Sequence, residues 1–351
     1  MTKIFFQIKN NIYSHVYKNF SECRLKHYDA ALIYINSPQD FDKNFLKVQH
    51  CTDVIIAFAK YSSALEKHIA ANLKYFKEVR VLRSFSGNWF ICYLNKPAEN
   101  FAMYVVTHKK LPTEHIEKLP ADYKIIHAGK ALTDDFGYIG DDTGDNISNL
   151  NPNLNELTAL YWIWKNSSES LIGLSHYRRF FTDSDEEKNF MTYVDRNFAY
   201  EKILTKDQAL KILKNFDVIV TKPANRGTIW FEDLVNDLEL ANFALSTVRK
   251  HLMRVHPEDV DAFDYLINTS LFYCKNMFVA RRYVFDDYCK WLFSFYLDAT
   301  REVMNNKTYE NVVKRNTRLM GFLAERVQTV WLMKNNLRIK ELYIIEKLNG
   351  L

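Results

Sequence analysis

The stretch Gly140–Phe181, GDDTGDNISNLNPNLNELTALYWIWKNSSESLIGLSHYRRFF, holds an acidic turn, a helix and a buried strand within 42 residues. In ELTALYWIWKN, Leu157, Leu160, Tyr161 and Trp164 recur at helical spacing, which predicts an amphipathic helix. SLIGLS (170–175) is a short apolar run with a β-branched residue, the pattern of a strand buried on both faces. That strand ends in His176-Tyr177-Arg178-Arg179. In open α/β sheets, ligands bind outside the carboxyl ends of strands. The strand end is therefore the first place to look for a site.

The same alternation extends on both sides. Toward the C-terminus, FDVIVTKP (216–223) is another strand, closed by Pro223. Toward the N-terminus, AMYVVTHKK (102–110) and YKIIHAG (123–129) are strands. Strands alternating with helices predict a mostly parallel sheet. The last third reads as mainly helical, in VFDDYCKWLFSFYLDATREV (284–303) and GFLAERVQTVWLM (321–333). LFYCKNMFVARR (271–282) supplies a strand between helices, and RIKELYII (338–345) a closing strand. Residues 1–100 form a series of their own. Strands are expected at 31–36, 53–59, 79–82 and 89–94, and a helix over 62–76 with Leu65, Ile69, Leu73 and Phe76 on one side. KPAEN (96–100) is the linker candidate, so the chain divides into a small basic α/β domain (1–100) and a larger one (101–351). No internal repeat is present.

Composition narrows the class. Hydrophobic residues make up 48% of the 351, which supports a sizeable core and excludes global disorder. The five cysteines are odd in number and none has CxxC spacing, so neither a disulfide framework nor a thiolate zinc site is expected. No signal peptide is evident and no apolar run is long enough to span a bilayer, which points to a cytoplasmic protein. The net charge of +5 is concentrated: residues 1–100 carry 14 Lys+Arg against 8 Asp+Glu, and the remainder 33 against 34. A basic face there suits an anionic inner-membrane surface or simply a solvated exterior. No nucleic-acid motif accompanies it.

Several polar groups are candidates, each with a plainer reading. Asp141-Asp142-Thr143-Gly144-Asp145-Asn146 could hold a divalent metal or sugar hydroxyls, but it lacks calcium-loop spacing and reads equally as an Asx-rich turn capping its own backbone. His176, Arg178 and Arg179 suit a diphosphate, through charge-assisted hydrogen bonds from the guanidinium groups. Consecutive arginines alternate sides in an extended segment, so only one of the two need face a ligand. Thr107, His108 and Lys109 close the first strand of the larger domain, and Lys222 follows another. In the helix near Arg318, Glu325 and Arg326, a buried Glu325 would serve as a general base or pair with an arginine. GxGxxG, Walker, GxSxG and HExxH signatures are all missing, which removes the kinase, Rossmann dehydrogenase and zincin classes.

DDTGDNIS, ELTALYWIWKN and GLSHYRRFF together resemble a bacterial capsule and exopolysaccharide biosynthesis domain of long-unassigned function, some members of which are regarded as galactofuranosyltransferases. The resemblance runs over about residues 102–345, through MYVVTHK, YKIIHAG, DVIVTKP, NMFVARRYVFDDYCKWLF and GFLAERVQTVWL. Asn155 departs from it, standing where a cysteine is expected, a difference of packing. The resemblance implies a GT-A-like nucleotide-sugar-binding sheet with a helical C-terminal region. It implies transfer of galactofuranose, with inversion, from a UDP-sugar to a glycan or lipid-linked glycan acceptor; the first hundred residues, whose basic face suits a peripheral membrane contact, are not covered by it. Donor contacts are then expected from Thr107, His108, Lys109, Asp141, Asn146, His176, Arg178, Arg179 and Lys222, and acceptor contacts from Asn276 and Asp264. Inversion needs a base. Asp145, Glu156, Asp264 and Glu325 are the candidates, with Glu325 and Asp145 preferred because both lie in matching motifs. Cations stand where an Asp-x-Asp metal motif would be, so no cofactor is expected, with Mn or Mg bound by the acidic turn as the alternative. A different UDP-hexose transferase, or a non-catalytic polysaccharide-assembly module, is the rival reading.

Overall fold

The structure is a computed structural model. It describes residues 7–8, 11–12, 30–35, 53–58, 63–72, 78–83, 89–94, 100–183, 191–194, 198–225, 238–273, 275–315, 317–335 and 337–347. The chain divides into two units, Met1–Ala98 and Glu99–Leu351. All but the last residue of the KPAEN linker candidate lies outside the described residues.

In the first unit, Ala30–Ile35, Asp53–Phe58, Trp89–Leu94 and Glu78–Arg83 form a four-stranded sheet in that order. The first two strands are parallel and the rest antiparallel. The helix Ser63–Asn72 buries Leu65 and Ile69, four residues apart and so on one face.

The second unit is built on a mixed nine-stranded sheet. Its strands are β1 (Phe101–Thr107), β2 (Tyr123–His127), β3 (Ile139–Gly140), β4 (Leu171–His176), β5 (Arg179–Thr182), β6 (Met191–Val194), β7 (Val218–Thr221), β8 (Phe278–Arg281) and β9 (Ile339–Lys347). The order is β5-β9-β7-β8-β4-β1-β2-β3, with β6 also on β9. All seven residues of β1 are buried. Ala102, Tyr104 and Val106 enter one hydrophobic core and Phe101, Met103 and Val105 the other. Alternation between two cores, not between core and water, is what a central strand covered on both faces requires. Gly173 lies opposite Met103 in the β1–β4 pairing, and a Cβ there would meet the Met103 sulfur at 2.5 Å. The glycine permits that close approach.

The sheet is less parallel than the alternating pattern predicts. β8 runs antiparallel between β4 and β7, and β5 is antiparallel to both β4 and β9. The expected strand over 271–282 is two short strands, Leu271–Phe272 and β8, with Lys275, Asn276 and Met277 in a loop before the second. The expected loop after Ser175 is instead a tight hairpin: His176 pairs with Arg179 across Tyr177-Arg178, and the chain returns as β5.

The helices of this unit that matter below are α1 (Leu157–Asn166), α2 (Leu238–Val255), α3 (Val260–Leu266), α4 (Arg282–Met304) and α5 (Leu319–Lys334). The last four bear out the predicted helical C-terminal third. α4 buries Phe285, Leu292, Phe295 and Tyr296 completely. Each such side chain contributes about 1.5–3 kcal/mol. The Tyr296 hydroxyl donates to the Met320 carbonyl at 2.7 Å, tying α4 to the first turn of α5. α5 is thereby fixed above the sheet, with Glu325 one turn further along.

Candidate active site

A cleft of about 470 Å³ opens at the carboxyl ends of β1 and β4. One wall comes from the sheet: Val106 near the end of β1, His108 just after it, and Leu174 to Arg179 along the hairpin. The other comes from α5 and the residue before it, with Arg318, Phe322, Glu325 and Arg326. Lys275, Asn276 and Met277, on the loop preceding β8, and Glu156, just before α1, complete it. The lining thus holds five permanent or ordinary cations, two histidines and two carboxyl groups.

The hairpin explains how both arginines reach the cleft. Arg178 occupies the turn and Arg179 the first paired position, so the alternation of an extended strand does not apply. Ser175 Oγ donates to the Arg179 carbonyl at 2.6 Å, and the Arg178 carbonyl accepts from Lys347 N at 2.8 Å. Both braces fix the backbone and leave the side chains to the cleft. Arg179 pairs with Glu346 at 3.2 Å. The Nε groups of both arginines are buried and have no hydrogen-bond partner among the described residues. Buried donors of this kind ordinarily find an acceptor.

His176 Nδ1 accepts from the Arg178 backbone N–H at 3.2 Å. A nitrogen that accepts carries no proton, so Nε2 is the protonated, donating side of the ring. Burial, then the charges of Arg179 and Arg178, hold the His176 pKa well below its usual value. Burial and the charge of Arg318 also lower the His108 pKa. Both rings are neutral at ordinary pH and act as dipolar donors or acceptors.

Glu325 behaves oppositely. Burial and then the neighbouring Glu156 charge push its pKa up to about 7, against the pull of Lys275, Arg326 and Arg179. A carboxyl group poised there takes and gives a proton near neutrality. Glu156 accepts from Asn276 Nδ2 at 2.9 Å, while Asn276 Oδ1 is buried with no partner among the described residues.

Of the residues singled out in the sequence, the cleft gathers His108, Glu156, His176, Arg178, Arg179, Asn276, Arg318, Glu325 and Arg326. Thr107, Lys109, Asp141, Asp145, Asn146, Lys222 and Asp264 lie outside its lining. Thr107 turns its hydroxyl back on the Lys109 backbone, accepting from N at 3.2 Å and donating to O at 2.8 Å. The Lys109 ammonium lies over the Tyr177 ring, 5.1 Å from its centroid. Lys222 lies over Tyr343 at 4.1 Å. Asp264 is held by both nitrogens of a fork from Arg249, at 2.6 and 2.7 Å. Asp145 accepts from the Tyr161 hydroxyl at 3.0 Å and stands 3.9 Å from Lys165.

The acidic turn is a brace. Asp141 is fully buried and accepts from the N–H groups of Gly129 and Lys130 and from Ser148 Oγ at 2.6 Å. Asn146 donates to the carbonyls of Asp142 and Gly144 and accepts from Ser148 N. With its oxygens so occupied, Asp141 does not fit the role of metal ligand beside the cleft. The one His/Asp/Glu cluster with metal-like spacing among the described residues, His256, Glu258 and Asp259, is not part of the cleft lining.

Lys275 went unnoticed in the sequence because a single lysine in a loop carries no pattern. Arg318 and Arg326 were visible only as neighbours of Glu325. Asn155, beside Glu156, packs against Gly321 of α5. Its backbone sits at φ 50°, ψ −127°, a conformation that non-glycine residues rarely adopt.

The family described as domain of unknown function (DUF4422) matches residues 102–336, and the chain belongs to it. Among solved structures, the chain is similar to the apo structure of the WbbM bifunctional glycosyltransferase, with a TM-score of 0.61 and 28% identity. The match covers 71% of this chain and 46% of that one, so the chain spans under half the length of its structural relative. No curated protein matches it. The sheet with its C-terminal helices is a GT-A-like α/β fold. No helix among the described residues is long and apolar enough to cross a membrane.

Proposed function

We propose that the chain is a glycosyltransferase that moves a sugar from a nucleotide-diphosphate donor to a hydroxyl group of a bacterial surface glycan. The observation that carries this is the unpartnered Nε groups of Arg178 and Arg179, set in a cleft that also contains Glu325. The likeness to the WbbM bifunctional glycosyltransferase supports the reading. The finer assignment, UDP-galactofuranose as donor with inversion at the anomeric carbon, follows from the motif resemblance.

In this reading Glu325 accepts the proton of the acceptor hydroxyl as its oxygen bonds to the anomeric carbon. The bond from that carbon to the diphosphate breaks, and its electron pair leaves with the nucleotide. The growing negative charge meets Arg178, Arg179 and the Nε2–H of His176, fixed donors that need no reorganisation. The Oδ1 of Asn276 accepts from a sugar hydroxyl. Metal independence belongs to the proposal, because the donor set around the cleft is cationic and Asp141 is occupied by Gly129 N, Lys130 N and Ser148 Oγ. A peripheral contact of the basic residues 1–100 with an anionic membrane also remains part of it.

The test is release of UDP from a panel of UDP-sugars with and without glycan acceptors, in excess EDTA. Turnover of UDP-galactofuranose in EDTA supports the full reading. Turnover of another UDP-hexose keeps the enzyme class and replaces the donor. Loss in EDTA restored by manganese removes the metal-independent step. Absence of nucleotide binding by calorimetry leaves the polysaccharide-assembly module as the reading.

A further inference from the structure

We propose that Glu156 is a positioning residue of this cleft, whose carboxylate, clamped by Asn276 and docked beside α5, strengthens Glu325 as a proton acceptor. The inference rests on the transferase reading for its role in turnover, but the coupling between the two carboxyl groups stands without it.

The placement begins at Asn155. Its side chain packs on Gly321, so closely that a Cβ on Gly321 would lie 2.6 Å from Asn155 Cγ. Arg318 Nε donates to Asn155 Oδ1 at 3.3 Å. The backbone carbonyl of Asn155 accepts from Asn151 Nδ2 and Thr158 Oγ1, at 2.8 and 3.1 Å. These contacts hold the strained turn at φ 50°. Residues four apart on a helix share a face, so the face of α5 that receives Asn155 at Gly321 is the face that carries Glu325. Glu156 is the next residue after Asn155. The bare glycine and the strained turn together bring the two carboxyl groups to one cleft.

Asn276 then fixes where the Glu156 carboxylate sits. Its Nδ2 donates to Glu156 Oε1 at 2.9 Å. A neighbouring negative charge disfavours ionisation of Glu325, and Glu156 is the largest cause of the Glu325 shift after burial. Opposing it are Lys275 from the loop before β8, Arg179 from the hairpin, and Arg326 on α5 itself. Arg178, Arg318, His176 and His108 also line the space. Without Glu156, this excess of positive charge would leave Glu325 a weak base at neutral pH.

The sign of the test follows. Glu156→Gln keeps the volume and removes the charge, so Glu325 should ionise more readily. Infrared difference spectroscopy of the whole protein, without donor or acceptor, follows the C=O stretch of a protonated carboxyl group as pH is raised. The wild-type protein should show a carboxyl group titrating near 7, absent in Glu325→Gln. In Glu156→Gln that midpoint should fall by about one pH unit, a tenfold change in acidity. Glu156→Asp, which keeps a charge, should recover most of the shift. In turnover assays the acidic limb of the Glu156→Gln profile should move the same way. An unmoved midpoint in Glu156→Gln overturns the proposal, whatever the donor. Abolished turnover at every pH in Glu156→Gln, with Glu325→Gln still active, makes Glu156 itself the base and also overturns it. A shifted midpoint with no turnover of any UDP-sugar sustains the coupling and defeats the transferase reading instead.

Discussion

The acidic turn at Asp141–Asn146 and the basic hairpin at His176–Arg179 stand in one stretch of sequence, and both look like ligand sites. The structure treats them differently. In the turn, Asn146 bonds to backbone groups of its own loop, and Asp141 to Ser148 Oγ and to the N–H groups of Gly129 and Lys130 after β2. In the hairpin, backbone braces are made by Ser175 and Lys347, and guanidinium Nε groups are left buried and unpartnered beside a cleft. Charge density is similar in both. The turn also leaves Asp142 Oδ1 buried without a partner among the described residues, so what separates strut from site is that the unsatisfied atoms of the hairpin border a cleft.

The comparison can be broken in order of effect. Glu325→Gln should lower turnover by about a thousandfold or more while leaving UDP affinity within about twofold, measured by kinetics and calorimetry. Arg178→Ala should lower kcat by about a hundredfold, the scale of one lost transition-state donor. A comparable loss from Asp145→Asn would overturn the contrast between the two regions. Asp141→Ala should act on stability instead. It strands two buried N–H groups and a hydroxyl, and chemical denaturation should show a loss of about 3 kcal/mol with kcat little changed in the folded fraction.

A subtler effect concerns pH. The folded-state pKa of Glu325 lies near 7, above its ordinary value of 4.5. Between those values the folded state holds more protons than the unfolded one. The stability this group contributes is therefore present below about pH 4.5 and is lost as pH rises through about 7. Glu325→Gln has no charge to bury, so at about pH 8 it should be more stable than the wild type by about 2 kcal/mol. Urea midpoints at about pH 5 and 8 check this, and an equal difference at both would refute it. Smallest of all, Asp145→Asn should change stability by less than about 0.5 kcal/mol, since its ion pair with Lys165 is exposed.

Much of the fold was legible because periodicity reports burial. β1, β2, β4, β7 and β9 and the helices α1, α4 and α5 fall where the apolar spacing places them. The antiparallel course of β8 was not, since a strand's direction depends on where its flanking segments pack and leaves no mark in LFYCKNMFVARR. The hairpin after Ser175 was hidden too, because Tyr177-Arg178 lacks the glycine or asparagine that usually signals a tight turn. For the cleft, the strand-end rule located His108, His176, Arg178 and Arg179. Glu156 stood among the candidate bases, but its place in the cleft, like that of Lys275 and Glu325, is set only by the tertiary fold. The side of the molecule on which a charged group finds its partner, as for Asp264 with Arg249, is likewise a tertiary fact.

The two neutral histidines have a bearing on how the cleft would respond to acid. Burial lowers the pKa of both His108 and His176, and the charge of Arg318 at the first and those of Arg179 and Arg178 at the second act in the same direction. The cationic wall of the cleft thus keeps its two imidazoles in the neutral form near neutrality, whereas Glu325 passes between base and acid there. In the transferase reading, a fall from about pH 8 to 6 would disarm the proton acceptor while leaving the cationic wall as it is.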